Sequence, residues 1–464
     1  MSHQLQTISP IDGSIIVSRS YASAAEALGL LQRAAAAQAA WRHVGVAERA
    51  GLVSKGVDTF VARKAEIAEE LTRQMGRPLR YTPGEVGGFE TRARHMISIA
   101  GEALQDVVPT PLTGFTRFVR RDPLGVVLVV APWNYPLLTA VNAVVPALMA
   151  GNAVVLKHSA QTPLAAERIV EAFTAAGLPE GLLQFIHTDH DGTHALIKSP
   201  QVQGVCFTGS VAGGAAVERA AAGRFIQVGL ELGGNDPAYV RGDANLNYAV
   251  ETLVDGAFFN SGQSCCGIQR IYVHQSRYAK FVDQAVALTR QYVLGDPLDA
   301  QTTLGPVVRV AAADAVRATI AEAVAKGAKG LLDAAHFKHD QAGTAYVAPQ
   351  ILVDVNHGMQ IMNDECFGPA VGIMPVASDE EALRLMNDSP FGLTAALFTQ
   401  DEAAALHLGE RLQTGTVFMN RCDYLDPALA WTGVKNTGRG ATLSSLGYEH
   451  LTRPKSFHFK KMGG

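Results

Sequence analysis

Val126-Val127-Leu128-Val129-Val130 restricts the folds open to this chain more than any other stretch. An unbroken apolar run of this kind reads as a strand buried on both faces, as in a parallel sheet covered by helices. The residues that follow keep to that plan. A helical pattern covers 138–149, a strand 153–156, a helix 163–176 and a strand 183–187. Two more strands, 204–207 and 226–230, enclose another helix. Strand–helix alternation implies parallel βαβ units. The pattern restarts after Glu231, with a helix to Asn260, a strand at Ile268 and helices to Val293 and over 310–326. Strands at 371–374, 395–398 and 416–419 follow, with helices between them. Two α/β halves joined near Glu231 are expected.

Upstream, Ser23 and Glu26 form a capping-box pattern that opens an Ala-rich helix to about Trp41. Helical patterns cover 47–75 and 84–104, and 115–121 alternates as an exposed strand does. A chain of 464 residues has room for two or three domains. Net charge is −4 with no basic block, which argues against nucleic acid and anionic membranes as partners. The apolar stretch 137–156 is broken by Asn142, Pro146, Gly151 and Asn152, so it reads as a core helix and strand, not a membrane span. The start, Met1-Ser2-His3-Gln4, shows no secretory leader. Five cysteines without Cys-x-x-Cys imply neither a disulfide framework nor a zinc site, and a reducing cytoplasm fits. The histidines show no ligand spacing, so no metal is expected.

Chemistry concentrates in Asn260-Ser261-Gly262-Gln263-Ser264-Cys265-Cys266-Gly267-Ile268-Gln269-Arg270. Two adjacent cysteines sit in a glycine-flanked loop between a helix and a strand. A cysteine so placed is more often a small buried hydrophobe than a nucleophile. Its company here shifts the balance: Glu231 in Glu231-Leu232-Gly233-Gly234, and Asn134 in Pro132-Trp133-Asn134-Tyr135-Pro136. A thiol, a carboxylate base and an amide donor are the parts needed for covalent chemistry on a carbonyl.

These segments, with Lys157 to Pro163, Phe207-Thr208-Gly209-Ser210, Glu365-Cys366-Phe367-Gly368-Pro369 and Phe391-Gly392-Leu393-Thr394, resemble the NAD(P)-dependent aldehyde dehydrogenase superfamily in order and spacing. The resemblance implies two Rossmann-like doubly wound α/β domains and a small β-flap shared between subunits of a homodimer or homotetramer. Residues 1–107 and 123–231 would bind the cofactor, 232–432 would carry catalysis, and 108–122 with 446–460 would form the flap. It also implies oxidation of a small-molecule aldehyde to an acid. Cys265, selected by Gly262-Gln263-Ser264 before it, would attack as thiolate, and Glu231 would activate water against the thioester. The Cys265 N–H and the Asn134 amide would form the oxyanion hole. Cys266 would then only pack; a register shifted by one would exchange the two.

No Gly-x-Gly-x-x-Gly occurs. In its place the resemblance puts the cofactor pyrophosphate at the strand-to-helix turn holding Gly209, Ser210 and Gly214, where free N–H groups suit an anion. It assigns Trp133 and Leu232 to the cofactor site, Lys157 to the adenosine ribose, and Glu365 and Phe367 to the nicotinamide ribose. Ala160 stands where many NAD-preferring relatives have a glutamate that binds ribose hydroxyls and repels a 2′-phosphate. The cofactor is thus NAD or NADP, with His158 or Ser159 as further donors if they face the pocket. Trp133, Tyr135, Phe259, Trp431 and the loop 421–426 would line the substrate tunnel. A thiol esterase or a variant acylating coenzyme A could use the same cysteine. The esterase leaves Lys157 and Glu365 without a purpose, and an intact Glu231 favours hydrolysis over acyl transfer.

Overall fold

The structure, a computed structural model, describes residues 4–462. The first three residues, on which part of the expected lack of a leader rests, lie outside them. The run at Val126 is the strand Val126–Ala131, buried at every residue, and it lies inside a six-stranded sheet. Across that sheet the order is Gly438–Arg439, Gln227–Glu231, Val202–Thr208, Val126–Ala131, Ala153–His158 and Leu183–Phe185. The first strand is antiparallel and the others are parallel. The chain steps outward from Val126–Ala131 to Leu183–Phe185, then returns to its other side. This reversal leaves a crevice at the carboxyl ends of Val126–Ala131 and Val202–Thr208, the place where open α/β sheets bind ligands.

The helix Pro136–Met149 follows the central strand and is buried along nearly its whole length. Neighbouring helices supply donors to its carbonyl end: Trp41 Nε1 to Leu148 O at 2.8 Å and Arg49 Nη1 to Met149 O at 2.8 Å. The helix Ala24–Trp41 opens with the capping box expected at Ser23 and Glu26.

A seven-stranded sheet forms the second half, in the order Lys329–Gly330, Gln350–Val353, Ala370–Val376, Ile268–His274, Asp236–Val240, Thr394–Phe398, Thr416–Met419. Its two faces pack against separate cores. Along Asp236–Val240, Ala238 and Val240 enter one, and Tyr239 enters the other. Only four residues separate Glu231, which ends a strand of the first sheet, from Asp236, which begins one of the second. The carboxyl edge of the first sheet therefore meets the amino edge of the second.

Three features depart from the sequence reading. The pattern over 47–75 is two helices, Val46–Val61 and Lys64–Met75. A hairpin of Gln4–Ile8 and Ile15–Ser20 precedes the first helix. Asp236–Val240 is a central strand where only a helix was expected. Apart from both sheets, Phe115–Pro123 and Thr452–Lys460 pair as an antiparallel ribbon. Among the described residues, no helix is long and apolar enough to cross a membrane.

Candidate active site

The helix Leu246–Phe258 delivers the cysteine loop, and the backbone then turns sharply. Asn260, Ser261 and Gly262 all take left-handed φ values, 53°, 54° and 70°. Two consecutive non-glycine residues in that region are strained, and persist only when their surroundings hold them. Buried hydrogen bonds do so here. Asn260 Nδ2 donates to Asn134 O at 3.3 Å and to Gln263 O at 3.2 Å, and Ser261 Oγ donates to Gly305 O at 2.8 Å. Gln263 is fixed at both ends of its amide, donating to Asn260 O and accepting from Val308 N–H. At Gly262 a side chain would run into the backbone of Gly368, so the loop rests directly on the Glu365–Pro369 turn.

Arg77 lies beneath this loop, almost wholly buried. It pairs with Glu85, donates to Asn134 O, donates to Asn260 Oδ1 at 2.9 Å and stacks on the Tyr135 ring. The other Glu85 oxygen accepts from Leu137 N–H at 2.8 Å, at the start of Pro136–Met149. One buried ion pair thus ties three segments together. Its residues carry no sequence pattern, and a buried arginine reads like a solvated one until the fold is known.

Cys265, Glu231 and Asn134 converge. Cys265 and Glu231 line one cavity of about 510 Å³. Glu231 accepts from Thr442 Oγ1 at 2.5 Å and Thr208 Oγ1 at 3.1 Å. Burial raises its carboxyl above the usual range, and these two donors act against the rise. Thr208 belongs to the Phe207-Thr208-Gly209-Ser210 segment singled out in the sequence, though not for this contact, and Thr442 stands in no such segment. At Gly234 a side chain would run into the Cys265 carbonyl oxygen, so the glutamate loop lies against the cysteine backbone. Asn134 Nδ2 donates to Gln263 O at 3.2 Å, two residues before Cys265, and the side chain is buried beside the cysteine loop. Tyr135, Phe259, Trp431, Asp423 and Tyr424 line the cavity, whereas Trp133, Arg421 and Asp426 do not.

The residues expected to hold a cofactor lie around the crevice of the first sheet. Ser210 caps the helix Val211–Ala221, accepting from Gly213 N–H at 3.1 Å. The first N–H groups of the helix stay free of helical acceptors. Gly209 faces the Phe207 ring, and Gly214 faces the Leu232 methyls, each leaving no room for a side chain. Trp133 and Phe367 meet edge to face, with ring centroids 5.5 Å apart. One Glu365 oxygen accepts from Gly234 N–H at 2.9 Å, and burial pushes its carboxyl up to about 7. Lys157 is the next-to-last residue of the strand Ala153–His158 and has no carboxylate partner among the described residues. Burial lowers its ammonium, and only the charge of Asp189 acts the other way. The Ala160 side chain is exposed, and its carbonyl accepts from Thr7 Oγ1 at 2.8 Å. His158 is not a pocket donor: it is 2% exposed and turned into the core, where burial lowers it to about 3.

The aldehyde dehydrogenase family model matches residues 1–457. The chain belongs to the aldehyde dehydrogenase family. It is 34% identical over 445 residues to a succinate semialdehyde dehydrogenase [NAD(P)+] of Escherichia coli strain K12, covering 95% of each chain. It is 33% identical over 460 residues to a betaine aldehyde dehydrogenase of Agrobacterium fabrum strain C58, covering 98% of this chain and 92% of the relative. A crystal structure of succinic semialdehyde dehydrogenase from Streptococcus pyogenes in complex with NADP+ superimposes with a TM-score of 0.93 at 27% identity, over 98% of this chain and all of that one. An aldehyde dehydrogenase needs a dinucleotide beside its nucleophile, and the crevice fits one. It offers a desolvated cation at Lys157 with no carboxylate partner among the described residues, a helix start at Ser210, and a buried carboxyl at Glu365 of which one oxygen accepts from Gly234 N–H.

Proposed function

We propose that this aldehyde dehydrogenase oxidises a small-molecule aldehyde to its carboxylic acid with NAD or NADP, through covalent intermediates on Cys265. The observation that carries the reading is the shared cavity. The Cys265 thiol and the Glu231 carboxyl open into it, and the Glu231 loop is pressed onto the cysteine backbone at Gly234. In this reading residues 1–107 and 123–231 bind the cofactor, and 232–432 hold the nucleophile.

The Cys265 thiolate adds to the aldehyde carbon. The developing oxyanion takes hydrogen bonds from the Cys265 N–H and the Asn134 amide, whose second N–H is free of the Gln263 carbonyl. The bound dinucleotide supplies the hydride acceptor. Ser210 and the start of its helix would hold the pyrophosphate, Lys157 the adenosine ribose, and Glu365 with Phe367 the nicotinamide ribose. Glu231 then takes a proton from water, which attacks the thioester and releases the acid. Burial raises the Glu231 carboxyl above the ordinary carboxylate range, which makes it a stronger base toward water. An esterase has no use for the desolvated Lys157 and Glu365, and a coenzyme A-acylating enzyme has none for Glu231. A free nucleophilic thiol suits a reducing compartment such as the cytoplasm.

Ala160 supports use of NADP, because no carboxylate at that position opposes a 2′-phosphate near Lys157. Ser159 Oγ accepts from Gln161 N–H at 3.2 Å and keeps its proton for a phosphate oxygen. The test is absorbance of reduced cofactor with an aldehyde panel and each dinucleotide. The expected kcat/KM for NADP at least equals that for NAD, Ala160→Glu moves the ratio toward NAD, and Cys265→Ala abolishes turnover. No reduction of either dinucleotide by any aldehyde would overturn the reading.

A further inference from the structure

Two adjacent thiols stand at the cavity, Cys265 and Cys266, and both line it. Nothing in their order explains why one reacts and the other does not. The difference lies in a carboxylate more than 150 residues away in sequence. Asp423 Oδ1 accepts from Ser264 Oγ at 2.8 Å and from Cys266 Sγ at 3.0 Å. The residues on either side of Cys265 are therefore pinned by one oxygen atom, and Cys265 itself is left out. Asp423 is held in place for this. Its backbone is left-handed, with φ 45°, and the preceding Cys422 fills the space that Gly256 leaves on the helix leading to the cysteine loop. No cation pairs with Asp423 among the described residues. Arg77 and Arg92, whose charges act on Asp423, are occupied by Glu85 and by carbonyl and amide oxygens.

We propose that Asp423 is the positioning residue that decides which of the two adjacent thiols reacts. Its oxygen holds the Cys266 S–H as a donor and the same oxygen fixes Ser264, so that of the two thiols at the cavity only Cys265 is left free of that carboxylate. Ionising Cys266 would place a thiolate against a carboxylate and break a hydrogen bond. The Cys265 thiol, burial and the Asp423 charge together keep the Cys266 thiol well above its ordinary range. The proposal rests on Cys265 as nucleophile, but its test does not depend on dehydrogenase activity.

The full-length protein is alkylated with iodoacetamide, and the adduct is located by fragmenting the peptide that holds both cysteines. In the wild type the label falls on Cys265. In a Cys265→Ala background, adding Asp423→Asn or Asp423→Ala raises the Cys266 alkylation rate about tenfold, the effect of one unit in thiol ionisation. Asp423→Asn keeps the shape and removes the charge, so it separates electrostatics from access. Buried Cys422 serves as the control for local loosening. Faster labelling of Cys266 with unchanged Cys422 supports the role. Three results overturn it: no acceleration in either variant, acceleration in the alanine variant only, or Cys266 and Cys422 rising together. Aldehyde turnover lost with the labelling pattern intact would instead count against the proposed function.

Discussion

Glu231 has a raised carboxyl, two threonine donors and a place on the cavity wall. If it acts only on the thioester, Glu231→Gln leaves acylation intact and slows release of the acid. A burst of reduced cofactor, one equivalent per site, is then expected before slow turnover. Burst and steady-state rates falling together would place Glu231 at an earlier step. Glu365 gives a pH prediction. Its carboxyl, pushed up to about 7 by burial, is protonated below that pH and ionised above it. A carboxylate accepts hydrogen bonds from ribose hydroxyls more strongly than a neutral acid. Dinucleotide affinity, measured by titration without aldehyde, is therefore expected to rise as pH increases through about 7. Glu365→Gln flattens that profile; a profile unchanged in the variant would show that another group titrates. The residues singled out in the sequence are those in short segments, many of them bounded by glycine or proline. Arg77, Glu85 and Thr442 stayed hidden because their work is done by contacts across the fold, with nothing local to mark it.

At the scale of elements, the amphipathic and continuous apolar patterns were legible, and backbone exceptions were not. Asp236–Val240 begins with Asp236 and Pro237, and proline within a strand argues for an edge or no strand. The fold tolerates it at the centre because the ladder to Ile268–His274 shifts register between Ile268 and Arg270, opposite Pro237. On the other side, pairing with Thr394–Phe398 starts only at Ala238. The missing N–H is never needed. Asp236 is itself buried beside the Thr394 hydroxyl, a polar core position that no hydrophobic pattern reveals. The N-terminal hairpin matters more than its length suggests, since Thr7 and the Ile8 carbonyl hold Ala160 and Gln161 in the loop after Ala153–His158. Gly234 supplies the prediction at this scale. Gly234→Ala drives a methyl into the Cys265 carbonyl, so the two loops must part. Overpacking of this kind costs about 1–3 kcal/mol, and kcat is expected to fall at least tenfold. Gly101→Ala, in the helix Thr82–Ala103 with open space at its Cβ, is the control and should be neutral or stabilising. Equal melting temperatures and equal kcat in the two variants would show that the loop contact is dispensable.

At the scale of the whole molecule, two sheet edges among the described residues bear on assembly. One is the strand Thr416–Met419 at the end of the seven-stranded sheet, where Val417 and Met419 are exposed. The other belongs to the ribbon of Phe115–Pro123 and Thr452–Lys460, which stands apart from both cores. Inside the ribbon, Phe118 and Phe457 stack with centroids 4.5 Å apart, and Arg120 lies over both rings. Val107 bridges to Val119 along part of one edge, but Thr452–Lys460 has no strand neighbour on its outer side among the described residues. A two-stranded ribbon in water is marginal on its own. This one also leaves Phe459, Val108 and Leu112 exposed, and apolar side chains gathered near open backbone mark an interface. A second copy answers both needs if its open strand edge pairs with the ribbon, and reciprocal pairing gives a closed dimer. Light scattering is expected to give at least twice the 49.2 kDa of one chain. Phe459→Asp and Val417→Asp, each placing a charge at one edge, should move the mass toward the monomer. A wild-type mass of a single chain would rule out this use of the ribbon. Loss of the dimer by Phe459→Asp alone would keep the ribbon as the interface and remove Thr416–Met419 as its partner edge.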